Sequence, residues 1–244
     1  MDNFDKKYLS IGEAAKYLGL SATTLRRWHD GGSFTATFIS PGGHRYYSVA
    51  DLEKKTKGLF KLAEDWVGVL EPSLPSGDFY CSSSDRFKAR NEKMALLLEN
   101  HPLLAAIGPL VSSMSGEIGN NSFDHNLGNW PDVPGVFFAY DLGKRIVVLA
   151  DRGLGVLTTL RSVKPSLETD AEALQTAFSE YITARAPQHR GNGLKYVVDA
   201  LVLAKADLFF QSGNAVLTTT IGKDGFMIKT APQSLRGCLA FIKF

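Results

Sequence analysis

The chain has 244 residues, is 44% hydrophobic and 21% charged, and carries a formal net charge of +2. That is a globular composition, which excludes a low-complexity or strongly charged disordered chain, and no apolar run approaches the ~18 residues a membrane helix needs. Cys81 and Cys238 form no spaced motif, and the first seven residues carry no apolar h-region, so a reducing, cytoplasmic setting without signal peptide or disulfide framework is expected. The charge is unevenly placed: residues 1–58 hold nine Lys/Arg against six Asp/Glu, and the remainder 18 against 19. A small basic module for an anionic partner, joined to a near-neutral domain, fits that split.

Tyr8 to Leu20 predicts a short first helix. Ser10 is placed as N-cap, with Glu13 completing a capping box, and Ile11, Ala14, Ala15 and Leu18 recur at helical spacing before Gly19 stops the run. Ser21 caps a second helix through Trp28. Two short helices across a tight glycine-containing turn read as helix-turn-helix. Thr23, Thr24, Arg26 and Arg27 are candidates to meet DNA: the hydroxyls face base edges and the arginines meet phosphates or guanines. Trp28 is expected in the core. A strand from Phe34 to Ile39, a Pro41-Gly42-Gly43 turn and a return through His44-Arg45-Tyr46-Tyr47 complete a wing.

The pieces I-x-E-A-A-x-x-L-G-L-S-x-x-T-L-R-R-W and P-G-G-H-R-Y-Y-S-x-x-D-L, between Ile11 and Leu52, resemble the MerR-type winged helix-turn-helix. The resemblance implies double-stranded DNA as partner, with His44, Arg45 and Tyr46 on the wing beside the backbone. Of the two wing tyrosines, one is expected on DNA and one in the core. Such regulators commonly dimerise, so a homodimer is expected, through a helix over residues 51–70 if that helix does not pack back on the module. Glu71 to Asp78, rich in Pro, Ser and Gly, marks a linker.

Helices are then expected from about Arg86 to Asn100 and from Leu103 to Asn126, with a bend at Pro109. On the latter, Glu117 and Asn121 are four apart and share one face. A carboxylate so placed can take a proton from water, and a carboxamide oxygen can ligate Mg²⁺, which prefers oxygen donors shared with phosphates. His125 lies on the same face, but a carboxamide is a poor zinc ligand and no further His or Cys completes a set. Val136–Tyr140 and Ile146–Ala150 read as a hairpin that delivers Asp151 at its end. Asp151-Arg152-Gly153-Leu154-Gly155 reads D-x-G-x-G. A helix follows from Asp170 to Ala184, and Arg190-Gly191-Asn192-Gly193-Leu194 then reads G-x-G-L and opens another. Leu208 to Thr219 is expected as two strands about a Gly213-Asn214 turn, with further strands from Gly225 to Lys229 and from Cys238 to Phe244.

The Glu117/Asn121 pair, D-x-G-x-G and G-x-G-L, in this order, resemble the GHKL ATPase superfamily of gyrase, chaperone ATPases and histidine kinases. The resemblance implies ATP and Mg²⁺ as cofactors. Asp151 would accept the adenine amine, with Gly153 and Gly155 letting the base lie on bare backbone. Asn121 would hold the metal, and Arg190, Gly191, Gly193 and Leu194 the phosphates. Glu117 would be the catalytic base. Cys238 after Gly237 departs from the family's Gly-Thr. The fold expected is α+β: a winged helix-turn-helix domain with trailing helix (residues 1–70), a linker (71–85), and a two-layer α/β sandwich with a mixed sheet and helices on one face (86–244). The function expected is an ATP-responsive DNA-binding transcriptional regulator capable of slow hydrolysis. A protein serine kinase of the anti-sigma-factor type, acting on a protein partner, and a DNA-binding protein with a degenerate ATPase domain stay open.

Overall fold

The computed structural model describes residues 7–18, 20–56, 58–180, 193–221 and 225–244. The chain begins with a short strand that the sequence reading did not anticipate, β1 (Tyr8–Ser10). Ser10 then caps helix α1 (Ile11–Tyr17) through the expected box: its hydroxyl accepts from Glu13 N at 3.5 Å, and the Glu13 carboxylate accepts from Ser10 N at 2.8 Å. Gly19 lies outside the described residues. Helix α2 (Ala22–Asp30) starts at Ser21, whose Oγ accepts from Thr24 N at 3.0 Å. Strands β2 (Phe38–Ile39) and β3 (Arg45–Ser48) form the wing, closed by Gly43 at φ +76°. The expected strand from Phe34 is thus confined to its last two residues. Helices α3 (Val49–Thr56) and α4 (Gly58–Gly68) follow, and Lys57 lies outside the described residues.

The second half comprises β4 (Tyr80–Cys81), α5 (Ser84–Glu99), α6 (Gly108–Asn126), β5 (Val136–Asp141), β6 (Ile146–Asp151), α7 (Gly155–Arg161), α8 (Asp170–Ser179), α9 (Gly193–Ala204), β7 (Asp207–Thr218) and β8 (Met227–Lys243). Pro109 stands in the first turn of α6, where its missing N–H costs nothing, so it starts the helix instead of bending it. The sheet order is β4-β5-β6-β8-β7, and every described pairing is antiparallel, not mixed as expected. The helical crossover from β6 to β7 does set those two strands parallel, but β8 is inserted between them and pairs antiparallel with both. The expected breaks in the last two strands are bulges. Gly213 (φ +55°) and Gly237 (φ +74°) take positive φ where the β7–β8 register shifts, and each strand runs on through its glycine.

Both faces of this sheet are covered. Val136, Phe138, Tyr140, Val147 and Leu149 face a core shared with α5, α6, α8 and α9. Their neighbours Phe137, Ala139, Ile146, Val148 and Ala150 face a second core with Leu25 and Trp28 of α2, Tyr47 of β3, and Leu59, Ala63 and Trp66 of α4. The period-2 alternation of a strand explains the split. The trailing helix packs back on the sheet, and the winged module sits with it. Residues 71–85, expected as linker, include Phe79, buried between the two halves, and Cys81, fully buried on the sheet edge. Trp28 is buried, as expected for core. Of the wing tyrosines, Tyr47 is inside and Tyr46 lies outside, stacked on Phe38 at 4.9 Å.

Candidate functional site

Helix α6 is polar along most of its length, yet both its sides are packed. Gly119 lets it approach α5 so closely that a Cβ would lie 2.1 Å from the Phe87 ring. That approach aims the following turns at the end of β6. Ser122 Oγ donates to Asp151 Oδ2 at 2.8 Å, and Gly153 N donates to Oδ1 at 2.8 Å. Cys238, paired with Asp151 across β6 and β8, lies against the same carboxyl. The carboxyl is 2% exposed. Burial pushes its pKa above the usual aspartate value, and the groups around the carboxyl, Ser122 and Gly153 first, pull against that shift without cancelling it. Burial likewise pushes the Cys238 thiol far up, with the Asp151 charge adding to it.

The D-x-G-x-G loop is pinned at several points. Asn126 Oδ1 accepts from Leu154 N at 2.7 Å, and its side chain fills the space a Cβ on Gly153 would need. Gly155 turns at φ +77°, and Ser212 Oγ then accepts from Val156 N at 2.9 Å while donating to Gly237 O at 3.2 Å. Gly237 must be glycine for a separate reason: a Cβ there would lie 2.1 Å from the Asp151 carbonyl oxygen.

Across α6, Glu117 and Asn121 are half-buried against the start of α9. A Cβ on Gly193 would meet Glu117 Oε2 at 2.4 Å and Asn121 Nδ2 at 3.6 Å. The carboxylate and carboxamide therefore stand beside the first described turn of α9. Leu194 lies in that turn and packs on the helical core. Arg190 and Gly191 lie outside the described residues. Glu117, Asn121, Asp151, Gly153, Gly155 and Gly193 are thus brought to one end of the sheet by α6, β6 and α9. Among the described residues no group of three His, Cys, Asp or Glu is placed to hold a metal ion.

Several residues of this site were not singled out from sequence: Ser122, Asn126 and Ser212 as hydrogen-bond partners, and Arg152. Ser122 and Asn126 had a signal, a helix too polar for its apolar surroundings. Arg152 had none, since it reads as the variable position of a glycine motif. Its guanidinium is 1% exposed and points to the opposite face of the sheet from Ser122. Nε and an Nη bond Asp132 at 2.7–3.2 Å, and the other Nη donates to Trp66 O at 2.7 Å, at the end of α4. Asp132 also pairs with Arg236 at 2.9 Å.

In the N-terminal module the candidate DNA residues divide. Thr23, Arg26 and His44 are exposed. Arg45 pairs with Asp30 at 2.9 Å beside the wing. Tyr46 keeps one side open. Thr24 is 7% exposed, and its hydroxyl donates to Asp78 at 2.8 Å. Arg27, exposed along most of its length, donates to the same carboxylate at 2.9 Å. Two capped helices at a tight turn, a glycine-turned wing and residues 8–54 that match the family described as a helix-turn-helix domain decide the nature of this part.

Residues 8–54 are a helix-turn-helix domain.

The match covers the three-stranded sheet, α1, α2 and most of α3, and leaves α4 and the larger sheet outside it. The helix-turn-helix domain points to DNA as a partner, because its second helix is of the kind that enters a major groove. Among curated proteins none matches the chain. Among the described residues no helix is long and apolar enough to cross a membrane.

Proposed function

We propose that this chain is a DNA-binding transcriptional regulator of MerR-like type whose C-terminal half is a GHKL-like domain responsive to Mg-ATP. The observation that carries the nucleotide half is the convergence of three separated motifs: Glu117 and Asn121 against Gly193, and Asp151 seated among Ser122, Gly153 and Gly237 one turn further along α6. The first described turn of α9, a carboxamide and a buried acceptor at one end of a sheet suit phosphate, metal and base respectively.

The residues fit the nucleotide, with one adjustment. A carboxylate offers about four lone-pair sites. Asp151 already receives the Ser122 hydroxyl on one oxygen and the Gly153 N–H on the other, with Cys238 beside it. An adenine amine therefore finds lone-pair sites left, but reaches them only once Cys238 makes room beside the buried carboxyl. Asp151 then fixes the base, and Gly153 and Gly155 keep the loop free of side chains. Asn121 offers its amide oxygen to Mg²⁺, and the first turn of α9 holds phosphate. Bound Mg-ATP supplies an electrophilic γ-phosphorus, and Glu117 orients and deprotonates the water beside it. ATP acts on DNA binding only if it has different affinities for two arrangements of the chain, with a homodimer as the form that reads two half-sites.

The test is calorimetric titration of Mg-ATP into the wild type and Asp151→Asn. Micromolar binding by the first and none by the second is the expected result. No binding to the wild type would overturn the nucleotide half and leave a DNA-binding protein on an inherited scaffold. Radiolabel transfer from ATP to a partner protein, in place of phosphate release, would turn the assignment to a serine kinase.

A further inference from the structure

Asp78 lies in the segment between the helix-turn-helix domain and the larger sheet, and three sets of contacts fix it. First, its carboxylate takes both polar groups on one face of α2, with Oδ1 accepting from Thr24 Oγ1 at 2.8 Å and Oδ2 from Arg27 at 2.9 Å. Ser76 Oγ donates to the same Oδ2 at 3.1 Å. Second, its main-chain carbonyl accepts from Arg90 of α5, whose guanidinium also donates to Phe138 O of β5 at 3.1 Å. Third, the adjoining Phe79 is wedged between Trp28 of α2, 5.9 Å away, and Phe137 of β5, 5.4 Å away. With a side chain only 16% exposed, Asp78 is a placed group and not a passing surface pair.

A carboxylate and a phosphate are alternative partners for one guanidinium, since both present paired oxygens to its planar fork. A negative charge held against a DNA-reading helix also repels the backbone that helix must approach. We propose that Asp78 is a built-in competitor of DNA: its carboxylate occupies Thr24 and Arg27 of α2 where a phosphate would bind, so that tight DNA binding requires that carboxylate to release them while Phe79 stays in place. This rests on the DNA-binding role of residues 8–54. The connection to the nucleotide site is physical. Phe87 and Arg90 are three apart on α5. Phe87 packs on Gly119 of α6, and Arg90 holds Asp78.

The test uses the full chain, a fluorescently labelled mixed-sequence DNA duplex as probe, and anisotropy at a series of salt concentrations. Asp78→Asn keeps the side-chain shape and removes the charge, and Asp78→Ala removes both. Both variants should bind about fivefold tighter or more, a coupling of the usual allosteric size. The log–log salt slope should steepen by about 0.9, because Arg27 becomes free to neutralise one more phosphate. Adding Arg27→Ala to Asp78→Asn should cancel the gain. Circular dichroism melts identify a variant that has lost its fold, and Asp78→Asn is the one expected to keep it. Unchanged affinity and slope in a folded Asp78→Asn would overturn the competition. Weaker binding would overturn it too, and would make Asp78 a residue that positions Arg27 for DNA. No binding by wild type or variants at low salt would overturn it together with the DNA-binding reading.

Discussion

Replacing Arg152 by leucine should separate the two halves of the molecule energetically. The substitution removes a guanidinium that joins the loop after β6 to Asp132 and to the Trp66 carbonyl at the end of α4. A hydrogen bond to a charged group contributes about 1.5–3 kcal/mol, and the buried Trp66 carbonyl loses such a bond outright. The Leu70 contact, at 3.4 Å in an exposed stretch, counts for little. Asp132 is not stranded, because Arg236 stays within 2.9 Å and the side chain is 22% exposed. Leucine also returns apolar volume. The net loss should therefore lie near the low end of the range for breaking a buried pair, about 3 kcal/mol. At roughly 2–4 °C per kcal/mol for a chain of this size, Tm should fall by about 6–12 °C. Scanning calorimetry would read it, and a fall under about 2 °C would refute the clasp. The pH dependence supplies a second check. Burial acts to raise the Asp132 pKa, but the Arg152 bonds, the Val133 N–H and the charge of Arg236 outweigh it and hold the carboxyl below its ordinary value. Its folded pKa is thus below the unfolded one, so this contribution is complete above about pH 4 and is lost as pH falls. The penalty of Arg152→Leu should shrink over the same acid range.

Two further outcomes are expected. Gly119→Ala forces a methyl into the Phe87 ring, which is fully buried, and should cost about 1–3 kcal/mol in urea denaturation, with partial rescue by Phe87→Leu. Under the proposed function Asp151 would accept the adenine amine in its ionised form, and burial raises its pKa above the aspartate value. ATP affinity in calorimetry should therefore begin to fall on acidification at a higher pH than an ordinary aspartate would give, and a flat profile down to pH ~4 would count against Asp151 as the base-reading group.

Local signals in the sequence carried far. The Ser10/Glu13 box, the Ser21 cap and the β5–β6 hairpin followed from residue types with one physical use at those spacings. The contact of Glu117 and Asn121 with Gly193 has no local signal, since nothing in either stretch says that α6 and α9 touch. Long strands with glycine bulges were misread as turns, because Gly213-Asn214 satisfies the chemistry of both. What selects the bulge is distant: Asp170 at the start of α8 accepts from Asn214 N at 2.9 Å. Helix α7 went unseen because it follows a glycine loop without a capping side chain. The runs Val136–Asp141 and Ile146–Asp151, without polar alternation, do announce a sheet covered on both faces, but not what covers it.

That second covering has a consequence for how such a protein can change. A DNA-reading module on a free tether can be exchanged between proteins like a bead on a string. Here Phe137, Ala139, Val148 and Leu239 have the winged module and α4 as their shelter, and Phe79 is the rivet between them. A chain that lost its first 70 residues would carry an open apolar wall and stick to its neighbours. Any lineage that altered what this protein reads on DNA would have had to do so by substitution on the outer surface of α2 and the wing, leaving the seam intact.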